Sequence, residues 1–193
     1  MGTAFAGGDL SAGVDEAGRG ALAGPLYVAA VILPAGFRHP LLRDSKTLNP
    51  TQREEIALLL QEASVAYAIV EVPVEVIERL NVLRATLWGM AQAIERLAVR
   101  PALVRIDGPY APPLRGYRIE THIKGDALYP EIAAASILAK TARDARLREL
   151  HQHYPHYHWA QNKGYPTPQH KEAIRRHGPS PLHRPSFLRK LGF

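Results

Sequence analysis

Gly13-Val14-Asp15-Glu16-Ala17-Gly18-Arg19-Gly20 is the stretch around which the rest of the chain has to be arranged. Two adjacent carboxylates run straight into a Gly-Arg-Gly turn. Neighbouring side chains on a regular strand point to opposite faces, so Asp15 and Glu16 do not easily share one ligand there. Gly18 and Gly20 can adopt positive φ or admit a second backbone at close range. The chain is therefore expected to bend here, bringing acid, backbone amides and a guanidinium to one surface point. Taken alone, the eight residues fit a charged hairpin equally well.

The flanking sequence supplies the scaffold. Leu26 to Leu33 (LYVAAVIL), bounded by Pro25 and Pro34, has the composition of a buried strand. With the run into Asp15 it forms a hairpin or a neighbouring pair. Asp44-Ser45-Lys46 is polar and precedes a helix that opens with Asn49 as N-cap and Pro50 at its first position. Val65 to Val72 is a second strand. After Pro73, Val76, Leu80, Leu83, Leu87, Met90, Ile94 and Leu97 recur at helical spacing, which predicts one long helix with Trp88 and Met90 as packing residues. Ala102 to Ile106 is a third strand that delivers Asp107-Gly108-Pro109, and Tyr117 to His122 a fourth. A helix is expected from Pro130 to Leu150, small in its first half (Ala133, Ala134, Ala135, Ser136, Ala139). Its second half carries Arg143, Arg146 and Arg148, complementing the helix dipole. This order is that of a mixed α/β domain.

With 193 residues the chain can bury one real core plus an appendage. It has no cysteine, which excludes disulfides and thiolate metal sites. No apolar run reaches membrane-spanning length, and the expected location is cytoplasmic, with no membrane partner. The net charge of +6 is unevenly distributed: residues 1–147 hold 16 basic and 16 acidic side chains, whereas residues 148–193 hold 8 and 2. Seven of the nine histidines also lie in that second segment. A basic tail on a neutral body suits a polyanion.

Asp15, Glu16, Asp107 and Asp126 each lie at or just beyond the end of an apolar strand-like segment, beside glycine. Ligand sites in open α/β sheets form at the carboxyl ends of strands. Four convergent carboxylates repel one another unless cations intervene or protons are taken up. An oxygen-only donor set suits Mg²⁺ or Mn²⁺, and two such ions can activate water and stabilise a leaving oxygen in phosphodiester cleavage. Asp44 and Asp144 fit a simpler reading, a charge before a helix and a solvated charge among arginines.

The ordered motifs GVDEAGRG-x-LAGP, DSK-x-L, the strand ending in IDG, KGD followed by IAAASILAK-x-x-RD, NKGYPT-x-x-H and HR-x-SF span about residues 10–187. As a set they resemble bacterial ribonuclease HII, the type 2 ribonuclease H. The resemblance implies a ribonuclease H-like mixed β-sheet flanked by helices, with a small helical or irregular C-terminal cap. It also implies a metal-dependent endonuclease with two Mg²⁺ or Mn²⁺ ions, cutting RNA–DNA hybrids or duplex DNA with embedded ribonucleotides on the 5′ side of the ribonucleotide. The catalytic, metal-holding acids would be Asp15, Glu16, Asp107 and Asp126. Gly18, Arg19 and Gly20 would read the ribose 2′-hydroxyl, and Tyr165 would stack on the sugar. The chain departs from the family pattern at Ala21, where proline is usual, and at Pro185, where arginine is common and a tail contact would be weakened.

Lys46, Lys163 and Arg184 are candidate phosphate contacts. His151, His153, His156 and His158 suggest zinc at first sight, but Pro155 interrupts their spacing and no cysteine completes a tetrahedral set; contacts to phosphate or solvent are the better reading. The expected organisation is a catalytic domain over residues 1–150 and a basic cap over 151–193 that contributes to nucleic-acid binding, in a monomer. Two other classes remain open at this stage: a non-catalytic hybrid-binding protein, and another ribonuclease H-like nuclease such as a junction resolvase.

Overall fold

A computed structural model describes residues 10–43 and 45–193; Asp44 lies outside the described residues. Five strands form one sheet: β1 (Ser11–Ala17), β2 (Leu26–Ile32), β3 (Ala66–Val72), β4 (Leu103–Asp107) and β5 (Ile119–His122), in spatial order β3-β2-β1-β4-β5. β1, β2 and β3 are antiparallel neighbours, while β1 with β4 and β4 with β5 run parallel. The first two strands are thus a hairpin whose connection is the Gly-Arg-Gly loop.

Eight helices accompany the strands among the described residues: α1 (Pro40–Arg43), α2 (Pro50–Ala63), α3 (Val74–Leu80), α4 (Val82–Glu95), α5 (Pro130–His153), α6 (Trp159–Asn162), α7 (Pro168–His177) and α8 (Pro185–Lys190). None is long and apolar enough to cross a membrane. Asn49 caps α2 as its sequence suggests, accepting from the Gln52 amide at 2.9 Å while the Gln52 side chain accepts from the Asn49 amide at 3.1 Å.

The predicted long helix after Pro73 is instead two. Asn81 takes φ 70° and its side chain accepts from the Arg84 amide at 3.0 Å, capping α4 and ending α3. Asparagine is among the residues enriched at positive φ, and its side-chain cap on the Arg84 amide holds it there, so the break needs neither Gly nor Pro. The apolar stripe continues across it, with Ile77, Ala85, Met90, Ala93 and Ile94 packed on Val14, Val28, Val70 and Val104. Trp88 is half-buried in that layer, a packing residue as expected.

The opposite sheet face is covered by α2 and α5, where Ile56 and Leu60 meet Ala29, Val31 and the alanines of α5. Alternation along β2 decides the layers: Val28, Ala30 and Ile32 enter one core, Ala29 and Val31 the other. A strand buried on both faces reads as a continuous apolar run, which is what Leu26 to Leu33 presents. The small first half of α5 lets it lie directly on β1. At Gly13 a Cβ would fall 2.2–2.3 Å from the Glu131 and Ile132 backbone, so only glycine fits.

Residues after His151 fold against a third apolar cluster in which Tyr157, Trp159, Ala173, Ile174 and Leu188 pack with Leu22, Ala23, Leu147 and Leu150. The cap is therefore built onto the loop after β1 and the end of α5. α5 runs three residues beyond the expected Leu150, so His151 and His153 occupy its last turn. Pro185 opens α8 at its first position, where a missing N–H costs nothing.

Gly13→Ala is expected to destabilise the protein by about 3 kcal/mol or more, since backbone rather than a flexible side chain must give way. Gly20→Ala, with nothing within 4 Å of the added Cβ, should stay within ~0.5 kcal/mol of the parent. Chemical denaturation of both variants checks the contrast.

Candidate active site

β1 and β4 lie side by side with Val14 opposite Ile106, and Asp15 and Asp107 follow next on each strand. Their carboxylates thus emerge together at the carboxyl edge of the sheet. Asp107 is itself opposite His122 on β5. The turn after β5 returns the chain, with Lys124 at φ 56°, and places the Asp126 amide 3.3 Å from Asp107 Oδ1. Gly125 makes that return possible, because a Cβ there would meet Ile132 Cδ1 at 2.6 Å. Glu16 ends the row, with Oε1 3.5 Å from Arg19 Nη1.

Three of these acids are held above the ordinary carboxylate range. Burial, then the Glu16 and Asp107 charges, push Asp15 well up. Burial raises Glu16 despite the Arg19 guanidinium beside it. Asp107 is raised by burial and by the charge of Asp126. Among the described residues Glu16 Oε2 is buried without a hydrogen-bond partner. Lys46 Nζ stands 3.2 Å from Asp126 Oδ2, an ammonium already offsetting part of the negative charge. Among the described residues no three carboxylates or imidazoles converge into a finished ligand cage. Even so, an unpartnered buried oxygen, acids that resist ionisation and an all-oxygen donor set fit a hard divalent cation.

Beside the acids opens a cleft of about 310 Å³ lined by Glu16, the Gly18-Arg19-Gly20 turn, Tyr165 and one face of α5. Gly18 sits at φ 98°, and a Cβ there would run into the Arg143 side chain at 2.1 Å. Gly20 has no such reason to be glycine, since its Cβ would point into open space. On the far side of Asp126 lies a second groove of about 810 Å³, whose lining includes Arg38, His39 and Arg43.

The predicted phosphate contacts divide. Lys46 is an exposed side chain at the acids. The Lys163 ammonium is turned back onto the Ala160 carbonyl and partly buried. Arg184 is a correction: it is 0% exposed and out of reach of a phosphate. Its guanidinium donates to the Gly24 carbonyl at 2.9 and 3.1 Å and to the Arg19 carbonyl at 3.1 Å. Burial and the neighbouring Arg143 charge lower it to about 9.

Sequence reasoning missed the helix face opposite the turn. Arg143, taken for a dipole complement, is 1% exposed. It donates to the carbonyls of Pro25 at 2.9 Å, Lys163 at 2.7 Å and Ala23 at 3.0 Å. Its guanidinium carbon lies 5.2 Å from the Tyr165 ring centroid. Asp144 is not a solvated charge either: it is buried, 3.4 Å from Arg53 and 3.8 Å from Lys140. Ser136, Lys140 and Asp144 line the cleft with Arg143. Their four-, three- and one-residue steps, in a helix otherwise rich in alanine, are the signal that could have found them.

Replacing Asp15 should expose the cost of this arrangement. A carboxyl raised by folding leaves stability complete below its unfolded pKa and loses it as pH rises through the folded pKa. In chelator, Asp15→Asn is expected to melt several degrees higher than the parent at pH 8 and indistinguishably at pH 4. An unchanged difference across that range would contradict the cost of ionising a buried Asp15.

Comparison with known proteins agrees with the geometry. The family model for ribonuclease HII matches residues 12–190. Ribonuclease HII of Bordetella pertussis is 52% identical over 178 residues, covering 92% of this chain and 88% of the relative. Ribonuclease H2 of Pyrococcus horikoshii has the same fold with a TM-score of 0.77 at 27% identity, covering 94% of this chain and 96% of that one. The RNase HII of Archaeoglobus fulgidus, solved in a complex with PCNA, matches with a TM-score of 0.77 at 26% identity over 91% of this chain and 94% of that one. The sheet, the acids at its edge and these relatives lead to one conclusion: the chain belongs to the ribonuclease HII family and is a ribonuclease H enzyme.

Proposed function

We propose that this ribonuclease H, an endonuclease of RNA–DNA hybrids, hydrolyses the phosphodiester on the 5′ side of a ribonucleotide. A single ribonucleotide embedded in duplex DNA would serve as well as a hybrid. The products would be a 3′-hydroxyl upstream and a 5′-phosphate on the ribonucleotide. The observation that carries the reading is the cleft that joins Glu16, Gly18-Arg19-Gly20 and Tyr165 immediately beside Asp15, Asp107 and Asp126. Recognition of ribose and cleavage of its 5′ phosphate require those two functions about one nucleotide apart.

In this reading Asp15, Glu16, Asp107 and Asp126 hold two Mg²⁺ or Mn²⁺ ions. When bound, they supply charge neutralisation and an activated water for the displacement. The chain's own residues do the rest. Arg19, half-exposed at the cleft, and the amides of its turn present donors toward the 2′-hydroxyl. Tyr165 offers a flat face for the sugar. A substrate hydroxyl that satisfies buried donors is discriminated far more sharply than one that merely fits. Lys46 is free to turn from Asp126 to a phosphate, because its side chain is 73% exposed. Exposed Arg175, Arg176, Arg189 and Lys190 on the cap support a contribution of residues 151–193 to duplex binding.

Two variants test the reading. Asp107→Asn should lower cleavage by at least ~10³-fold in either metal while leaving duplex affinity within a few fold. Arg19→Ala should reduce the preference for ribonucleotide-containing over all-DNA duplex by about 10–100-fold, the worth of one charge-assisted hydrogen bond. Undiminished cutting by the first variant, or an equal loss on every substrate by the second, would sink the proposal.

A further inference from the structure

The core of the cap contains a line of hydrogen bonds that ends on the cleft. The Ser180 amide donates to His183 Nδ1 at 2.9 Å. His183 Nε2 lies 2.9 Å from His170 Nε2, and the Trp159 indole donates to that same His170 nitrogen at 3.1 Å. His170 Nδ1 lies 2.9 Å from the Tyr165 carbonyl oxygen. Both imidazoles are essentially inaccessible, at 0% and 2% exposure.

The Ser180 amide and the Tyr165 carbonyl at the two ends set the tautomers of the rings, and the Ser180 hydroxyl, also 2.9 Å from His183 Nδ1, donates to that nitrogen beside the amide. A backbone N–H only donates, so His183 Nδ1 is bare and the neutral ring carries its hydrogen on Nε2. A carbonyl only accepts, so His170 carries its hydrogen on Nδ1 and its Nε2 is bare. His183 Nε2–H then points at the same His170 Nε2 lone pair as the Trp159 indole N–H, a three-centre contact made with both rings neutral. One added proton on His170 would set N–H against N–H at that contact. Burial lowers both imidazoles, His183 to about 3, which is consistent with neutral rings. His183 is itself bridged to Ala23 of the loop after β1, and the Leu22 amide donates to the Gly164 carbonyl at 2.8 Å. One polar assembly thus holds both walls of the cleft.

We propose that the His183–His170 pair is a positioning device for Tyr165, a directional hydrogen-bond relay that sets the backbone from which the sugar-facing ring projects. This rests on the reading of Tyr165 as the residue that meets the ribose. Neither histidine touches substrate; both act through the Tyr165 carbonyl. The rest of the turn is stapled by the Thr167 amide to the same carbonyl at 2.8 Å and by the Tyr165 amide to the Asn162 carbonyl at 3.0 Å. Loss of the relay therefore shifts the ring rather than unravelling the segment.

A double-mutant cycle on kcat/KM for a duplex with one ribonucleotide tests it. His170→Leu is expected to lower kcat/KM about 10-fold in the parent and less than about 2-fold when Tyr165 is already alanine. Equal losses in both backgrounds would overturn the relay alone, because a general weakening of the cap does not depend on Tyr165. A Tyr165→Ala variant as active as the parent would overturn the ribose role of Tyr165, and the relay with it. Nitrogen-15 spectra of histidine-labelled parent protein provide a readout independent of any variant's folding. Neutral rings with hydrogen on Nδ1 of His170 and Nε2 of His183 at pH 7 support the relay, and the opposite tautomer of His170 overturns it.

Discussion

Two buried guanidiniums, neither with a carboxylate in salt-bridge range among the described residues, hold the candidate site together. Arg143 and Arg184 make three hydrogen bonds each, all to backbone carbonyls, at residues 19, 23, 24, 25 and 163. Removing such charges from water is expensive, and only well-aligned acceptors offset it. Inside the protein each of those bonds is electrostatically stronger than it would be at the surface. The loop between β1 and β2 has no regular structure over most of its length, yet its carbonyls at residues 19, 23, 24 and 25 all accept from these guanidiniums. Gly18 and Gly164 complete the arrangement by leaving room for Arg143 and for the Ala23 carbonyl.

The acids show the opposite economy. Asp15, Glu16 and Asp107 are placed where ionisation is opposed by burial and by one another. The fold tolerates this because β1 is sandwiched between two apolar layers, with Gly13 letting α5 lie flat on the strand that carries the acids. Local instability at a site and rigidity around it are two aspects of one design. The rigid side here is the polar tie-down of the turn, and the unstable side is the row of carboxylates.

Much of this was legible in the residues themselves. Strand alternation, the Asn49 cap and the placement of the acids beside glycine all rest on local rules, and the strands appear within one or two residues of expectation. Asn81 escaped because an asparagine at positive φ leaves the apolar stripe intact on both sides of the break. Arg143, Asp144 and Arg184 escaped for a different reason. Where a long charged side chain ends depends on partners up to 165 residues away, and helical position or a basic neighbourhood carries no information about them. The assumption that a basic residue in a basic tail faces solvent was the weakest step, and Arg184 is its counterexample.

The separation of these partners along the chain has a consequence for the order in which the enzyme comes into being. The turn at residues 18–25 is made long before its clamps, which arrive only with residues 143, 163 and 184. Closing contacts of that span is entropically slow and gains nothing until both ends exist. A nascent chain can pair β1 with β2 long before Arg184 locks the loop between them. On the proposed reading, a chain stopped short of residue 184 carries its acids before the loop that would read ribose is locked.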